Sequence, residues 1–273
     1  MNKKTLFICL QITILLLLTG CDVADNPILT YQSVEFHSND ATAGSVPVFY
    51  ITTPVGASVT IPENTGNLAK EGYEFLGWNT EADGSGNYFY PGDEFAMPAV
   101  YVVLYAAWER IYQIGETGPA GGLVFYDKKM RTDGWRFLEA APVETEWITR
   151  IWGEQSAPVV EGTSDAIGSG EANTQLIINE FAHANSGNYA AFLCATLEYG
   201  GCRDWFLPST LELNEMYENL YLYSFGDFSN DHYWSSTANS AVADVAYAMY
   251  FVTGEAAQSS TYYDRSVRAI RTF

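Results

Sequence analysis

The chain is poor in cations and in the side chains on which metal and nucleophilic chemistry draw. Thirteen Lys and Arg stand against 33 Asp and Glu, a formal charge of -20. A surface so negative repels phosphate backbones, so nucleic acid is not an expected partner. There are only three His, at His37, His183 and His232, far apart in sequence and each expected to be structural or solvated. Neither His-Glu-x-x-His nor Cys-x-x-Cys occurs, which removes the usual zinc patterns. No Gly-x-Ser-x-Gly elbow occurs either, so the common hydrolase nucleophile is missing. The one long apolar run, Leu6 to Leu18, is too short for a spanning helix. Low charge does not mean disorder here, because 48% of residues are hydrophobic and 15% aromatic.

What is present begins with that run. Lys3 and Lys4 precede it as a basic n-region, the pattern of an export signal over residues 1–20. Leu18-Thr19-Gly20-Cys21 then resembles a bacterial lipobox. The resemblance implies cleavage before Cys21, lipid on its thiol, and a membrane anchor in the bacterial envelope, facing outward or into the periplasm. Residues 21–33, with Asn26-Pro27 and no periodicity, read as a lipidated tether. Of the four cysteines only Cys194 and Cys202 would then remain, and export to an oxidising compartment predicts a disulfide between them.

Residues 34–109 read as short strands broken by turns: Val34 to Phe36, Val46 to Thr52, Ala57 to Ile61, Tyr73 to Trp78 and Tyr101 to Trp108. Asp83-Gly84-Ser85-Gly86 and Pro91-Gly92-Asp93 supply turns, and Gly66 to Glu71 allows a short helix. Gly72-Tyr73-Glu74-Phe75-Leu76-Gly77-Trp78-Asn79-Thr80, those two turns, and Leu104-Tyr105-Ala106-Ala107-Trp108 resemble one Listeria-Bacteroides repeat, the internalin B-repeat type. That resemblance implies a small β-grasp-like surface module. Tyr73, Phe75, Trp78, Tyr105 and Trp108 are expected in its core.

Residues 114–273 are organised around Asp204-Trp205-Phe206-Leu207-Pro208-Ser209 and Tyr233-Trp234-Ser235-Ser236. Between them Ser209-Thr210-Leu211-Glu212 fits a capping box, and Leu213, Met216, Tyr217 and Leu220 recur at helical spacing. Further helices are expected over Asn173 to Ala184 and Tyr189 to Leu197. Strands are expected over Leu123 to Tyr126, Gly134 to Ala141, Trp234 to Thr237, Ala246 to Val252 and Ser266 to Phe273. Gly118-Pro119-Ala120-Gly121-Gly122 precedes a strand rather than opening a helix, so it reads as a turn and not a phosphate loop. Together with Asn173-Thr174, Glu212-Leu213 and Val267-Arg268-Ala269-Ile270-Arg271, these pieces resemble the C-terminal domain of the Legionella collagen-like protein. The resemblance implies a C-type-lectin-like α+β fold related to formylglycine-generating enzymes, and an exported binding or adhesion role. No collagen-like repeat accompanies it.

The fold class expected is thus α+β, a β-grasp-like repeat module followed by a C-type-lectin-like domain. The function expected is non-enzymatic binding of a glycan or an extracellular protein. A structural envelope module without a small ligand, or a divergent formylglycine-generating-type enzyme, is the alternative. Candidate ligand residues are Asp227, Asn230 and Asp231, whose oxygens suit calcium if the loop is more than a solvated acidic face, and Tyr262, Tyr263 and Asp264, where two rings and a carboxylate could meet a sugar. No metal or cofactor is otherwise implied. A polyanionic ligand would need Arg131, Arg136, Arg203, Arg265, Arg268 and Arg271 to gather, and at least one of Arg268 and Arg271 is expected in an internal ion pair.

Overall fold

The structure is a computed structural model and describes residues 29–48, 50–153, 156, 159–182 and 187–273. The export signal, Cys21, most of the tether and His183 lie outside the described residues. The chain divides into two compact units after Glu109. Among the described residues the first is built of strands alone, and the second is mixed, with strand outweighing helix.

The first unit is built on strands β1 (Tyr31–His37), β2 (Tyr50–Pro54), β3 (Ser58–Thr60), β4 (Tyr73–Asn79), β5 (Tyr88–Phe89), β6 (Glu94–Ala96) and β7 (Val102–Arg110). Five form one sheet in the order β2-β1-β7-β4-β5, with β1 and β7 parallel, while β3 and β6 pair separately. Alternation along β1 buries Val34 and Phe36, which meet Trp78 and Leu104 in the core. Trp78 is fully buried with its indole N–H donating to the Pro62 carbonyl, and Phe75 and Trp108 close the edge of the cluster. Tyr73 does not join them: it is exposed, and the Lys70 ammonium lies 4.8 Å from its ring. The short helix allowed over Gly66 to Glu71 is absent, because Asn64 accepts from the Leu68 N–H and donates to its carbonyl, tying the segment into a turn.

The second unit contains β8 (Leu123–Thr132), β9 (Trp135–Ala140), β10 (Trp147–Arg150), α1 (Gly170–Glu180), α2 (Ala190–Ala195), α3 (Thr210–Asn219), β11 (His232–Ala238), β12 (Val245–Tyr250), β13 (Glu255–Ser260), β14 (Arg265–Val267) and β15 (Ile270–Thr272). One sheet runs β10-β14-β11-β12-β13 and a second β15-β9-β8. The strand expected over Ser266 to Phe273 is therefore two strands in different sheets, and the hairpin at Gly254 joins β12 to the unforeseen β13. Alternation along β11 and β12 sends Trp234, Ala246 and Ala248 into a core with α1 and α2. Tyr233 and Met249 go into a second core with α3 and β9.

Helix α3 carries the capping box as expected: Ser209 Oγ accepts from the Glu212 N–H, and the Glu212 carboxylate accepts from the Ser209 N–H at 2.6 Å and the Gly168 N–H at 2.8 Å. Burial pushes the Glu212 carboxyl up in pKa, against the pull of those backbone donors. Ser209→Ala should lower stability by about 1 kcal/mol, read as a shift of the urea midpoint without a change of slope.

Gly118 to Gly122 makes a turn around a side chain of the protein itself. The Ala120 and Gly122 N–H groups donate to the fully buried Glu139 carboxylate at 3.2 and 3.1 Å. Glycine is required there, since a Cβ on Gly118 would stand 2.3 Å from Glu139 Oε2. Arg271 completes the cluster, with Nη1 on Glu139 at 2.8 Å and a two-pronged contact to Asp204 at 2.8 Å on each prong. A second buried pair joins Arg268 to Glu146, with Tyr233 Oη donating to the same carboxylate. Arg268 and Arg271 thus both serve the fold.

Candidate functional site

A cavity of about 510 Å3 in the second unit is lined by the hydroxyl-bearing side chains of Thr163, Ser164, Thr210, Thr237 and Tyr247, together with Asp165, Ala238 and Ala256. Four separate stretches supply it: the loop before α1, the start of α3, the end of β11, and the β12–β13 hairpin. Each wall is fixed by the backbone. The Leu211 N–H donates to the Asp165 carbonyl, the Thr210 N–H to Thr237 Oγ1 at 3.1 Å, and the Ala238 N–H to Thr163 Oγ1 at 3.0 Å. Thr210 Oγ1 and Ser235 Oγ lie 3.1 Å apart, and Asn173 spans from Ser164 to Ser236. The lining holds one carboxylate, Asp165, and neither histidine nor cysteine. It offers hydrogen-bond donors and acceptors in number beside that carboxylate.

The residues singled out by sequence fall elsewhere. Asp227 and Asn230 rim a cavity of about 420 Å3 with Tyr221, Leu222, Ser224 and Phe225. Asn230 Oδ1 is taken by the Tyr221 hydroxyl at 2.8 Å. Asp231 accepts from the N–H of His232. Asp231 is not among the residues lining that cavity, and among the described residues no group of three or more His, Cys, Asp or Glu side chains is arranged to hold a metal. Leu222, Tyr223 and Phe225 leave this rim apolar and exposed. Tyr262 and Tyr263 are exposed neighbours with ring centroids 5.2 Å apart, followed by an exposed Asp264. The Arg265 guanidinium lies 5.5 Å from the Tyr263 ring.

The expected disulfide is not formed: Cys194 and Cys202 are free thiols. Cys194 is fully buried on α2, where desolvation pushes its pKa up and suppresses the thiolate. Cys202 lies in a tight turn in which the Tyr199 and Cys202 backbones bond each other, which closes the loop without sulfur.

In the first unit a cavity of about 310 Å3 is lined by Asn39, Tyr73, Asn79, Tyr88 and Trp108 among others. Its amides are spent internally, Asn39 on the Ala82 and Ala106 carbonyls and Asn79 on the Gly84 and Gly86 carbonyls. The turns and aromatic core described for this unit coincide with a family match. Residues 33–107 match the Listeria-Bacteroides repeat domain. The chain is also similar in part to two proteins of Evansella cellulosilytica. One, described as "Putative Gly-rich membrane protein", is 40% identical over 92 residues, 33% of this chain and 10% of that protein. The other, "Putative membrane protein", is 37% identical over 75 residues, 28% of this chain and 11% of that protein. The chain thus spans about a tenth of the length of these relatives. Among the described residues no helix is long and apolar enough to cross a membrane.

Proposed function

We propose that the protein is an exported bacterial envelope protein, anchored through lipid on Cys21, whose residues 110–273 form a non-enzymatic module that binds a glycan. The observation that carries this reading is the hydroxyl-lined cavity of about 510 Å3. A saccharide is recognised by a dense set of fixed donors and acceptors beside a little apolar surface, and Thr163, Thr210, Thr237 and Tyr247 with Ala238 and Ala256 offer that combination. The β-grasp-like reading of the repeat and the C-type-lectin-like reading of the second unit belong to this proposal. Support for the latter comes from how the resembling motifs touch one another. Gly118 to Gly122, Asp204 and Arg271 meet around Glu139, while Asn173 reaches Ser236 and Thr174 Oγ1 accepts from the Leu207 N–H. Membrane anchoring is supported by the basic residues, apolar run and lipobox-like Cys21, and by the membrane descriptions of the Evansella proteins.

The test is a glycan array probed with the chain in calcium and in chelator. Binding indifferent to chelator is expected. Asp165→Asn and Tyr247→Ala should each weaken it about tenfold, equivalent to about 1.4 kcal/mol. Tyr262→Ala and Tyr263→Ala should leave it unchanged. If no glycan binds in either buffer, the structural envelope module is the better account.

A further inference from the structure

Five buried side-chain polar atoms among the described residues have no hydrogen-bond partner, and four of them belong to Arg150, Thr261, Arg265 and Ser266. These residues sit on β10, on β14 and in the turn that leads into β14. Arg150 stands directly opposite Arg265 across the antiparallel β10–β14 pair. Two like charges so placed destabilise a sheet, and among the described residues neither is paired with a carboxylate. Among the described residues the Arg150 guanidinium donates to the Ile148 and Thr149 carbonyls, and that of Arg265 to the Asp264 carbonyl and Ser259 Oγ. The contrast with the remaining arginines is sharp. Five of the six others, Arg110, Arg136, Arg203, Arg268 and Arg271, each pair with a carboxylate, in a chain with 33 acids to choose from.

The sheet extends this pair into a row. β14 runs parallel to β11 with Ser266 beside Tyr233, so one residue earlier on each strand Arg265 lies beside His232. His232 in turn stands opposite Tyr250 on β12, their rings stacked with centroids 4.4 Å apart. Because side chains alternate with a period of two, Arg150, Arg265, His232 and Tyr250 share one face. We propose that Arg150 and Arg265, with His232 beside them, form a binding site for an oxyanion, a phosphate or carboxylate group borne by a ligand. The guanidinium is the side chain whose fork matches such groups. The site is separate from the hydroxyl-lined cavity and does not depend on the glycan reading.

The charges facing His232 set the pH dependence. Burial and then Arg265 hold its pKa below the ordinary histidine value, while Asp231, the residue just before the strand, opposes them. Tyr250 covers its ring, and Glu255 on β13 stands opposite Tyr250 at the far end of the row. A bound anion favours the imidazolium, so by linkage affinity rises as pH falls through the histidine range.

The experiment titrates the full chain with inorganic phosphate and separately with citrate, following the His232 ring protons by NMR at several pH values. Saturable binding is expected, with the His232 pKa raised in the bound state and affinity up to about tenfold greater at the acid end. A response to phosphate alone assigns a phosphate group, and one to citrate alone a carboxylate. Arg150→Gln and Arg265→Gln should each cost at least about tenfold in affinity, and Arg265→Lys less. Arg203→Gln, which removes an exposed arginine elsewhere, should cost nothing. Without anion, Arg150→Gln should melt no lower than the parent, since a like-charge contact is lost. The proposal is overturned if neither anion shifts His232 saturably, or if the double variant Arg150→Gln/Arg265→Gln binds as the parent does.

Discussion

Glu139→Ala should cost about 3 to 5 kcal/mol of stability, enough to bring a domain of ordinary stability close to unfolding. The carboxylate is fully buried and has three partners: the Ala120 and Gly122 N–H groups and Arg271 Nη1. Removing it strands two backbone donors in a dry turn and leaves Arg271 with Asp204 alone, a carboxylate half exposed to water. Chemical denaturation followed by tryptophan fluorescence measures the loss, since Trp205 lies 5.9 Å from the Arg271 guanidinium and reports on this cluster. Glu139→Gln separates shape from charge. It fills the same space and keeps one acceptor but turns an amide N–H toward existing donors, so a smaller loss is expected. A loss below about 1 kcal/mol for the alanine variant would mean that the turn finds other partners, and the glycines at 118 and 122 would then need another explanation.

The features legible in the sequence were those decided within a few residues. The capping box at Ser209 and Glu212 involves atoms three residues apart, and the apolar face of α3 repeats within one helix. The repeat in residues 33–107 was recognisable because its turns at Asp83 to Gly86 and Pro91 to Asp93 demand particular residue types. Strand β13, Glu255-Ala256-Ala257-Gln258-Ser259-Ser260, gave no such signal. It is a mostly exposed edge strand without apolar alternation, and only pairing with β12 makes it a strand. The break between β14 and β15 was hidden for a similar reason: Val267 to Arg271 looks continuous, but Arg268 turns to Glu146 and Arg271 to Glu139 and Asp204, in separate clusters.

The candidate sites divide the same way. Asp227, Asn230 and Asp231 drew attention by adjacency; Asp227 and Asn230 do share a cavity rim, and Tyr221 claims one of their oxygens. The hydroxyl-lined cavity takes its walls from residues near 164, 210, 237 and 247, none in a recognisable motif. The Arg150–Arg265 pair depends on register across a strand pair with a bulge, which no reading of a single segment supplies. Arg265 was noted as one of six arginines that might gather, and Arg150 was not. What identifies the pair is the destination of the other arginines, and that is a tertiary fact.

Arg268→Met is expected to be the other severe variant, again by about 3 to 5 kcal/mol. Arg268 is 1% exposed, and its Nε lies 2.9 Å from Glu146 Oε2 while Nη1 donates to the Ala141 and Gly226 carbonyls at 3.1 Å. Methionine fills much of the volume but leaves Glu146 facing the Tyr233 hydroxyl with its countercharge gone. It also releases Gly226, and with it the segment carrying Phe225, Asp227 and Phe228, the last of which stacks on the guanidinium at 4.4 Å. The decisive comparison is the double variant Glu146→Gln/Arg268→Met. If the cost of the single change comes mainly from an uncompensated buried carboxylate, neutralising Glu146 should restore part of it, with a coupling energy of about 1 to 3 kcal/mol in a double-mutant cycle. If the two losses simply add, Arg268 matters chiefly as the tie between Ala141 and Gly226. The loop rimming the 420 Å3 cavity would then become mobile in both variants, visible as faster amide exchange over residues 224–229.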